Sequence, residues 1–204
     1  MTVYAIIDFE TTGLSAALGA RPTEVGLCLL EGNRIVDRYQ SLMNPGIPIP
    51  SEITRFTGIS NAMVRAAPDV AVVMQEAADF VGDRPLLAHN ASFDRTFWHG
   101  ELTRLGRNPR SDFACSLLLS RRLFPHCANH RLATLVDELQ LPAVGAFHRA
   151  LADAEYTAAL LVRIKQELQS RHKLPSIEHA MLMTIQRANK KDLHKCIARM
   201  TEAV

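Results

Sequence analysis

The sequence predicts an α/β fold in which a mixed sheet carries helices on its faces and is followed by a helical C-terminal tail. Three observations support this fold class. A nearly all-apolar run opens the chain, two strand-like runs follow it closely, and short apolar runs then alternate with helical patterns. A strand hairpin followed by alternating strands and helices is typical of a mixed, helix-covered sheet. Ligands of such sheets bind beyond the strand ends, so functional residues are expected at those positions.

The strands come from apolar runs bounded by turn residues. Residues 3–9 are nearly all apolar, which favours a central strand that is buried on both faces. Residues 24–30 and 34–43 form two further strands, which a turn containing Gly32 joins into a hairpin. Two shorter strands are expected at 84–88 and 112–115.

Helical spacing and capping residues predict the helices. They span residues 51–55, 69–82, 92–105, 116–124, 132–139 and 150–168. Asp69 is a typical helix cap, and Gly82 and Gly106 are typical of helix ends. The segment 150–168 has the strongest helical periodicity, because its apolar residues recur on one face. We expect an α/β domain over 1–170 and a helical extension over 171–204.

Size and composition exclude several classes of protein. The chain has 204 residues, 48% of them hydrophobic, which fits one folded domain with a small appendage and argues against disorder. The net charge of +2 gives no polycationic signature. No signal-peptide pattern opens the sequence, and no apolar run approaches the roughly 20 residues that span a bilayer. We therefore expect a soluble, cytoplasmic protein that has no membrane partner.

The four cysteines do not form a Cys-x-x-Cys pair. This spacing fits reduced thiols better than a disulfide framework. A zinc site at Cys115, His126, Cys127 and His130 is an alternative, but their spacing is irregular and no close cysteine pair anchors it. Separate thiols are therefore the preferred interpretation.

Acidic residues recur at three separate places, and two of these places have a histidine nearby. Asp8 and Glu10 lie in the first strand, Asp94 follows the fourth strand, and Asp153 begins the long helix five residues after His148. Carboxylates that are held close together repel one another unless cations lie between them. Carboxylate oxygens are also the ligands that Mg²⁺ and Mn²⁺ prefer. The pattern predicts a divalent metal site and, with it, chemistry on a phosphate group.

The spacing of these residues within each segment predicts the direction in which their side chains point. Asp8 and Glu10 are two apart on a strand, so they face the same side, whereas Phe9 points the other way into packing. His148 and Asp153 would be roughly 140° apart on a helix, so they cannot share one helical face. We expect His148 on the loop that precedes the helix, where it could act as a general base for water.

Taken in order, these residues resemble a known family. The motifs D-x-E in DFETTGL, HNxxFD at 89–94 and HxxxxD at 148–153 resemble the three ordered motifs of the DEDDh 3′→5′ exonucleases. The stretches 55–60, 87–94 and 147–161 also resemble that family, and the likeness covers roughly residues 1–170. The resemblance implies a ribonuclease H-like fold with a five-stranded mixed sheet. It also implies two bound Mg²⁺ ions, for which Mn²⁺ would substitute.

The resemblance further implies a role for each residue of the predicted site. Asp8 would bridge the two ions, Glu10 and Asp153 would complete the first ion site, and Asp94 would hold the second. His148 would take the proton of the attacking water. The product would be a nucleoside 5′-monophosphate released from a 3′ end.

Substrate contacts are expected beside these motifs. Thr11 and Thr12 could bond the terminal nucleotide, Leu14 and Phe93 could sandwich its base, and His89 and Asn90 could meet its phosphate or sugar. Core packing is an equally good account of Phe93. Several arginines could also guide the nucleic acid backbone, with Arg149 the preferred candidate. The others are Arg95, Arg121, Arg122 and Arg131.

The predicted activity is metal-dependent 3′→5′ hydrolysis of single-stranded or frayed DNA. Alternatives are an exoribonuclease that trims RNA ends and a nucleic-acid-binding relative without activity. A phosphatase with a nucleophilic Asp is disfavoured, because its opening motif needs a second Asp at the position that Glu10 occupies. The tail has apolar stripes at helical spacing, which predict packing on the body, on a second copy of the chain or on another protein.

Overall fold

A computed structural model describes residues 2–109, 112–142, 145, 148–174 and 176–202. Its five-stranded sheet has the strand order β3-β2-β1-β4-β5, with β1 in the centre as the sequence predicts. The strands are β1 Val3–Thr11, β2 Pro22–Glu31, β3 Arg34–Leu42, β4 Leu86–Ala88 and β5 Phe113–Cys115. β1, β2 and β3 are antiparallel neighbours, whereas β4 and β5 run parallel to β1. The predicted mixed, five-stranded sheet is confirmed.

Alternation along β1 divides the core into two apolar layers. Tyr4 and Ile6 lie in the layer on one face of the sheet, and Ala5, Ile7 and Phe9 lie in the layer on the other face. This is the period of two that a strand imposes on its side chains. Helices cover both faces of the sheet, so β1 is buried on both sides. Its sequence is therefore almost continuously apolar, as in the strands of buried parallel sheets.

The helices follow the predicted segments closely. They are α1 Ser51–Thr57, α2 Asn61–Arg65, α3 Val70–Val81, α4 Ser92–Arg104, α5 Ser116–Leu123, α6 Leu132–Glu138, α7 Ala150–His172, α8 His179–Arg187 and α9 Leu193–Glu202. The predicted cap of α3 is confirmed, since the Asp69 carboxylate accepts the Ala71 N–H at 2.7 Å. Gly82 and Gly106, which follow α3 and α4, both have positive φ as expected of helix ends.

Two differences from the predicted helices have local causes. The sequence analysis missed α2, a helix of five residues that is too short to show a helical period and starts from the Ser60 cap. The long helix α7 continues to His172 rather than ending near Leu168. Polar residues extend it for one further turn, until Lys173 adopts a left-handed conformation.

The C-terminal helices pack on the body. Leu182, Ile185 and Ile197 are buried in the same apolar layer as Ile6. The Gln186 side chain accepts the Cys115 N–H at 2.6 Å and donates to the Phe113 carbonyl at 3.2 Å, which pairs polar groups of β5 at the edge of the sheet. The residue-170 boundary lies within α7, and the division into 1–170 and 171–204 stays a prediction.

None of the helices among the described residues is both long enough and apolar enough to cross a membrane.

Candidate metal centre and catalytic cleft

The carboxylates predicted from distant motifs converge beyond the end of β1. Asp8 and Glu10 face the side of the sheet that α7 covers, and the first turn of α7 brings Asp153 to them. One ligand atom from each of these three residues lies within 4.8 Å of the others. Glu10 and Asp153 are buried, whereas Asp8 is half-buried. Three carboxylate oxygens at this separation are a donor set for a hard divalent cation.

Asp94 approaches the end of β1 from the opposite layer. It lies in the first turn of α4, is 1% exposed, and accepts the Phe9 N–H at 3.2 Å. Asp94 does not belong to the group of ligand atoms that Asp8, Glu10 and Asp153 form within 4.8 Å. Its charge nevertheless reaches that cluster, because it raises the pKa of Asp8 together with burial.

Burial and mutual repulsion raise the pKa values of these carboxyl groups. Burial, followed by repulsion from the other carboxylates, raises the pKa of Asp8 well above its ordinary value and that of Glu10 to about 8. Burial raises the pKa of Asp94 to about 8 and that of Asp153 to about 6. A cation bound among these carboxyl groups would favour their deprotonated form and so lower their pKa values, because metal ligands must be deprotonated.

The hydrogen bonding of Asp153 gives an independent test of the fit to a metal. Its Oδ2 accepts the His148 N–H at 3.0 Å, but its buried Oδ1 has no hydrogen-bond partner among the described residues. An unpaired carboxylate oxygen in a buried position costs free energy unless a cation or a donor meets it. This oxygen and the neighbouring carboxylates therefore suit a divalent ion.

His148 lies on the loop before α7, as the sequence predicts. It is exposed, and its φ of 65° places it in the left-handed region, which non-glycine residues adopt rarely. Its N–H contact with Asp153 fixes the backbone, and its ring lies 4.0 Å from the Phe56 ring, centroid to centroid. The imidazole therefore packs on Phe56 and lines the cleft that Asp8 and Asp153 also line, while the residue stays exposed to water.

Asp8, His148 and Asp153 line one cleft of about 610 Å³. Its walls are formed by Asp8, Phe56, His89, Arg131, Leu132, Ala133, His148 and Asp153. Arg131 is positively charged, whereas the other ionisable residues that line this cleft are aspartates and histidines. A guanidinium in this position suits a phosphate of a nucleic acid strand.

His89 reaches the cleft but its ring nitrogens are engaged within the protein. Nδ1 lies 2.9 Å from the Ser116 hydroxyl, and Nε2 lies 3.0 Å from the His130 carbonyl oxygen. A carbonyl can only accept, so Nε2 carries a proton. Burial lowers the pKa of His89 to about 4, which keeps the ring neutral. Its predicted contact with a substrate phosphate or sugar stays a prediction, since both ring nitrogens already have partners in the protein.

Thr11 and Thr12 are both buried, and their hydroxyls shape the end of β1. The Thr11 hydroxyl donates to the Gly13 carbonyl at 2.7 Å, and the Thr12 hydroxyl accepts the Arg21 N–H at 3.0 Å. The pairing of β1 with β2 also shifts register between Glu10 and Thr11. Such a bulge turns the strand end and re-aims its side chains. Contacts of these threonines with a nucleotide stay predictions.

Leu14, Asn90 and Phe93 share a second, smaller cleft of about 320 Å³. Leu14 is 86% exposed, whereas Phe93 is half-buried against Phe97, at 5.0 Å between ring centroids. An exposed leucine facing a partly exposed aromatic ring forms an apolar slot, which suits a nucleotide base better than a phosphate. The packing contact of Phe93 and its predicted base contact are therefore compatible.

Two residues of the site have no role in the sequence-based predictions. Phe56 lies in the stretch 55–60, which resembles the family, but only the fold shows its contact with His148. Glu24 was treated only as the start of a strand, yet it is fully buried and forms a two-point ion pair with Arg149. The preferred role of Arg149 in guiding a nucleic acid therefore has a competing account, because its guanidinium holds Glu24. A charged residue inside an apolar strand was the available signal for Glu24.

Arg122 also has a local account. Its guanidinium donates to the carbonyl oxygens of Ala188 and Leu118, at 2.8 Å each, and so ties α5 to the end of α8. Arg95 and Arg121 lie on the exposed surface.

The chain matches known proteins along most of its length. The family model RNase_T, described as an exonuclease, matches residues 5–161. DNA polymerase III PolC-type of Bacillus cereus is 37% identical over 169 residues, which make up 81% of this chain and 11% of that protein. The corresponding protein of Bacillus subtilis is 36% identical over 169 residues, or 80% and 11% of the two chains. The chain thus spans about one ninth of the length of these polymerase relatives.

Solved structures resemble the fold as well. Exonuclease X in complex with 5′-overhanging duplex DNA is 28% identical and has a TM-score of 0.65, with 80% of this chain and 91% of that chain covered. The nuclease domain of 3′hExo, a DEDDh family member bound to rAMP, has a TM-score of 0.69 at 21% identity and covers 81% and 92%. The predicted resemblance to the DEDDh exonucleases is confirmed. By its sequence, its fold and the acidic residues that converge beyond β1, the chain belongs to the RNase_T family of exonucleases.

Proposed function

We propose that this chain is a divalent-metal-dependent 3′→5′ exonuclease. It would hydrolyse the terminal phosphodiester bond of single-stranded or frayed DNA and release nucleoside 5′-monophosphates. The observation that carries the proposal is the convergence of Asp8, Glu10 and Asp153 within 4.8 Å, with Asp8 and Asp153 lining the same cleft as His148. A donor set for a hard cation and a histidine beside it are the groups that metal-assisted hydrolysis of a phosphodiester requires.

The carboxylates would hold two Mg²⁺ ions, with Mn²⁺ as a substitute. Asp8 would serve both ions, Glu10 and Asp153 the first, and Asp94 the second. Two such ions, when bound, activate the attacking water and stabilise the leaving oxygen of an in-line displacement. The unpaired Oδ1 of Asp153 supports a ligand role for that residue.

His148 would take the proton of the attacking water. A general base must come within hydrogen-bond reach of the proton that it removes, and an exposed imidazole at the rim of the cleft meets this need. Asp153 and Phe56 hold the backbone and the ring of this histidine, so the base would be positioned before the substrate arrives.

The two clefts suggest how a 3′-terminal nucleotide would bind. The apolar slot of Leu14 and Phe93 would take its base, and Arg131 would meet a phosphate in the larger cleft. DNA is the preferred substrate because the relatives above include replicative DNA polymerases and an exonuclease bound to duplex DNA with an overhang. A cytoplasmic location and a second copy or protein partner at the C-terminal helices stay predictions from the sequence.

The test uses single-stranded DNA and RNA of one sequence, each labelled at the 5′ end. The wild type is incubated with each strand in Mg²⁺ or in EDTA, beside Asp8→Asn. We expect a DNA ladder that shortens from the 3′ end, is abolished by EDTA and is lost in the variant. Shortening of RNA alone would move the substrate to RNA. Protection of both strands in Mg²⁺, with binding retained, would replace the enzyme by a binding module.

A further inference from the structure

Glu24 is a buried carboxylate whose oxygens are both saturated by protein donors. Oε1 accepts from Arg149 Nη2 at 2.7 Å and from Gln40 Nε2 at 2.8 Å. Oε2 accepts from Arg149 Nε at 3.2 Å and from the Ala150 N–H at 3.1 Å. Glu24 is 0% exposed. A carboxylate bonded in this way is held in one orientation and, unlike Asp153, has no oxygen left over for a cation.

Glu24 and Gly26 lie directly across from the metal-site residues of β1. In the antiparallel register of β1 and β2, Glu24 pairs with Glu10 and Gly26 pairs with Asp8. A Cβ atom on Gly26 would lie 2.1 Å from the Leu151 nitrogen, so the first turn of α7 rests directly on the β2 backbone there. Two positions of β2 thus fix the start of α7. Glu24 accepts hydrogen bonds from it, and Gly26 lets its backbone come close because glycine has no side chain.

The segment held at this point carries two residues of the proposed site. Arg149 and Ala150 lie between His148, on the loop, and Asp153, in the first turn of α7. The His148 N–H bonds the Asp153 carboxylate, so the loop and the helix move together. Any shift of the first turn on β2 changes the separation between Asp153 and Asp8.

We infer that Glu24 is a positioning residue, which locks the first turn of α7 onto β2 through Arg149 and Ala150 and thereby sets Asp153 and His148 against Asp8 and Glu10. This inference rests on the proposed function, since it assigns Glu24 to the assembly of that same site. It also means that the main work of Arg149 is to bind Glu24 rather than the substrate. Groups that orient metal ligands in this way contribute to metal affinity without touching the ion.

The test compares Glu24→Gln and Arg149→Met with the matched control Arg38→Met. Arg38 of β3 forms an ion pair with Glu155 of α7, and this contact does not involve the loop or the proposed catalytic residues. Mn²⁺ affinity is measured by titration calorimetry and single-turnover cleavage of DNA is measured at saturating Mn²⁺. Each is normalised to the folded fraction from the melting curve.

We expect Glu24→Gln and Arg149→Met to weaken Mn²⁺ binding about 10- to 100-fold, and Arg38→Met to match the wild type within about twofold. Arg149→Lys keeps the charge but loses the two-point contact, so it should fall between the wild type and Arg149→Met. If Glu24→Gln and Arg149→Met do not fold, the Mn²⁺ affinity of Arg149→Lys tests the inference instead.

Two outcomes overturn the inference and are distinguishable from each other. If the wild type is active and the folded variants lose only melting temperature, with Mn²⁺ affinity and cleavage rate unchanged, Glu24 is merely structural. If the wild type itself neither binds Mn²⁺ nor cleaves DNA, the proposed function fails and the positioning role fails with it.

Discussion

The ring of Phe56 lies 4.0 Å from the imidazole of His148, centroid to centroid, with the two planes inclined at 41°. Phe56 belongs to α1, and its side chain is 60% exposed although it is large and apolar. Single exposed apolar residues are common on protein surfaces, but this one lines the cleft that Asp8, His148 and Asp153 also line. The contact explains how a histidine on a loop keeps one orientation.

Replacing Phe56 by Ala is therefore expected to slow catalysis. An aromatic pair is worth about 0.5–1.5 kcal/mol, which corresponds to a loss of up to roughly tenfold in single-turnover rate if all of it orients His148. Phe56→Leu should retain part of the rate. Val72→Ala, at an exposed position of α3, is the control and should not change it. Equal rates for Phe56→Ala and Val72→Ala would show that His148 needs no support from the ring.

His148→Ala should abolish most of the activity while leaving metal binding intact. Loss of a general base lowers rates by about 10²–10⁴-fold. The imidazole does not belong to the group of ligand atoms formed by Asp8, Glu10 and Asp153, so the Mn²⁺ affinity should stay near that of the wild type. His126→Ala, at an exposed site, is the matched control. A strong loss of Mn²⁺ affinity in His148→Ala would instead make this histidine a ligand.

Without metal, the protein should become less stable as the pH rises from 5 to 8. The folded state raises the pKa of Glu10 to about 8 and that of Asp153 to about 6, so it binds more protons than the unfolded chain. The stabilisation is present below the ordinary carboxyl range and is lost as the pH rises through these values. Melting temperatures in EDTA, measured across this range, should therefore fall.

Two comparisons sharpen the pH experiment. Mn²⁺ should raise the melting temperature more at pH 8 than at pH 5, because the ligands must lose their protons to bind it. Glu10→Gln removes one titrating group, so its melting temperature in EDTA should depend less on pH. A melting temperature that rises with pH in EDTA would contradict the placement of these carboxyl groups in one buried cluster.

Gly26→Ala should damage the protein far more than Gly100→Ala. The added methyl at Gly26 would lie 2.1 Å from the Leu151 nitrogen and 2.2 Å from the Ala150 carbonyl carbon, and backbone atoms cannot give way locally. We expect a loss of about 1–3 kcal/mol or more in the free energy of unfolding. At Gly100, inside α4, the nearest atom is 3.7 Å away on a side chain, so alanine should be neutral or slightly stabilising. Denaturant unfolding of both variants measures the difference.

Much of the site was predictable because its signals are local. Asp8 and Glu10 interrupt an apolar strand, and the period of two places both on one face. The spacing of His148 and Asp153 alone excluded a shared helical face, and the loop position of His148 is what the structure shows. The five-stranded sheet followed from strand-like runs, their turns and the family resemblance.

The remainder depends on tertiary contacts that no local pattern encodes. The fold alone brings Phe56 to His148 and Glu24 to Arg149, and neither pair is close in sequence. His89 follows a buried strand, where a ligand contact is expected, but Ser116 and His130 arrive from later segments and occupy its ring nitrogens. Hydrogen-bond partners of this kind decide whether a polar residue is free for a substrate.

Anomalous diffraction from a crystal of the protein soaked in Mn²⁺ would show directly whether these carboxylates form a metal centre. We expect a strong manganese peak that contacts oxygens of Asp8, Glu10 and Asp153, and a second peak between Asp8 and Asp94. Loss of both peaks in Asp8→Asn crystals would confirm the shared ligand. A soaked crystal without manganese density among these carboxylates would show that they do not form a metal centre.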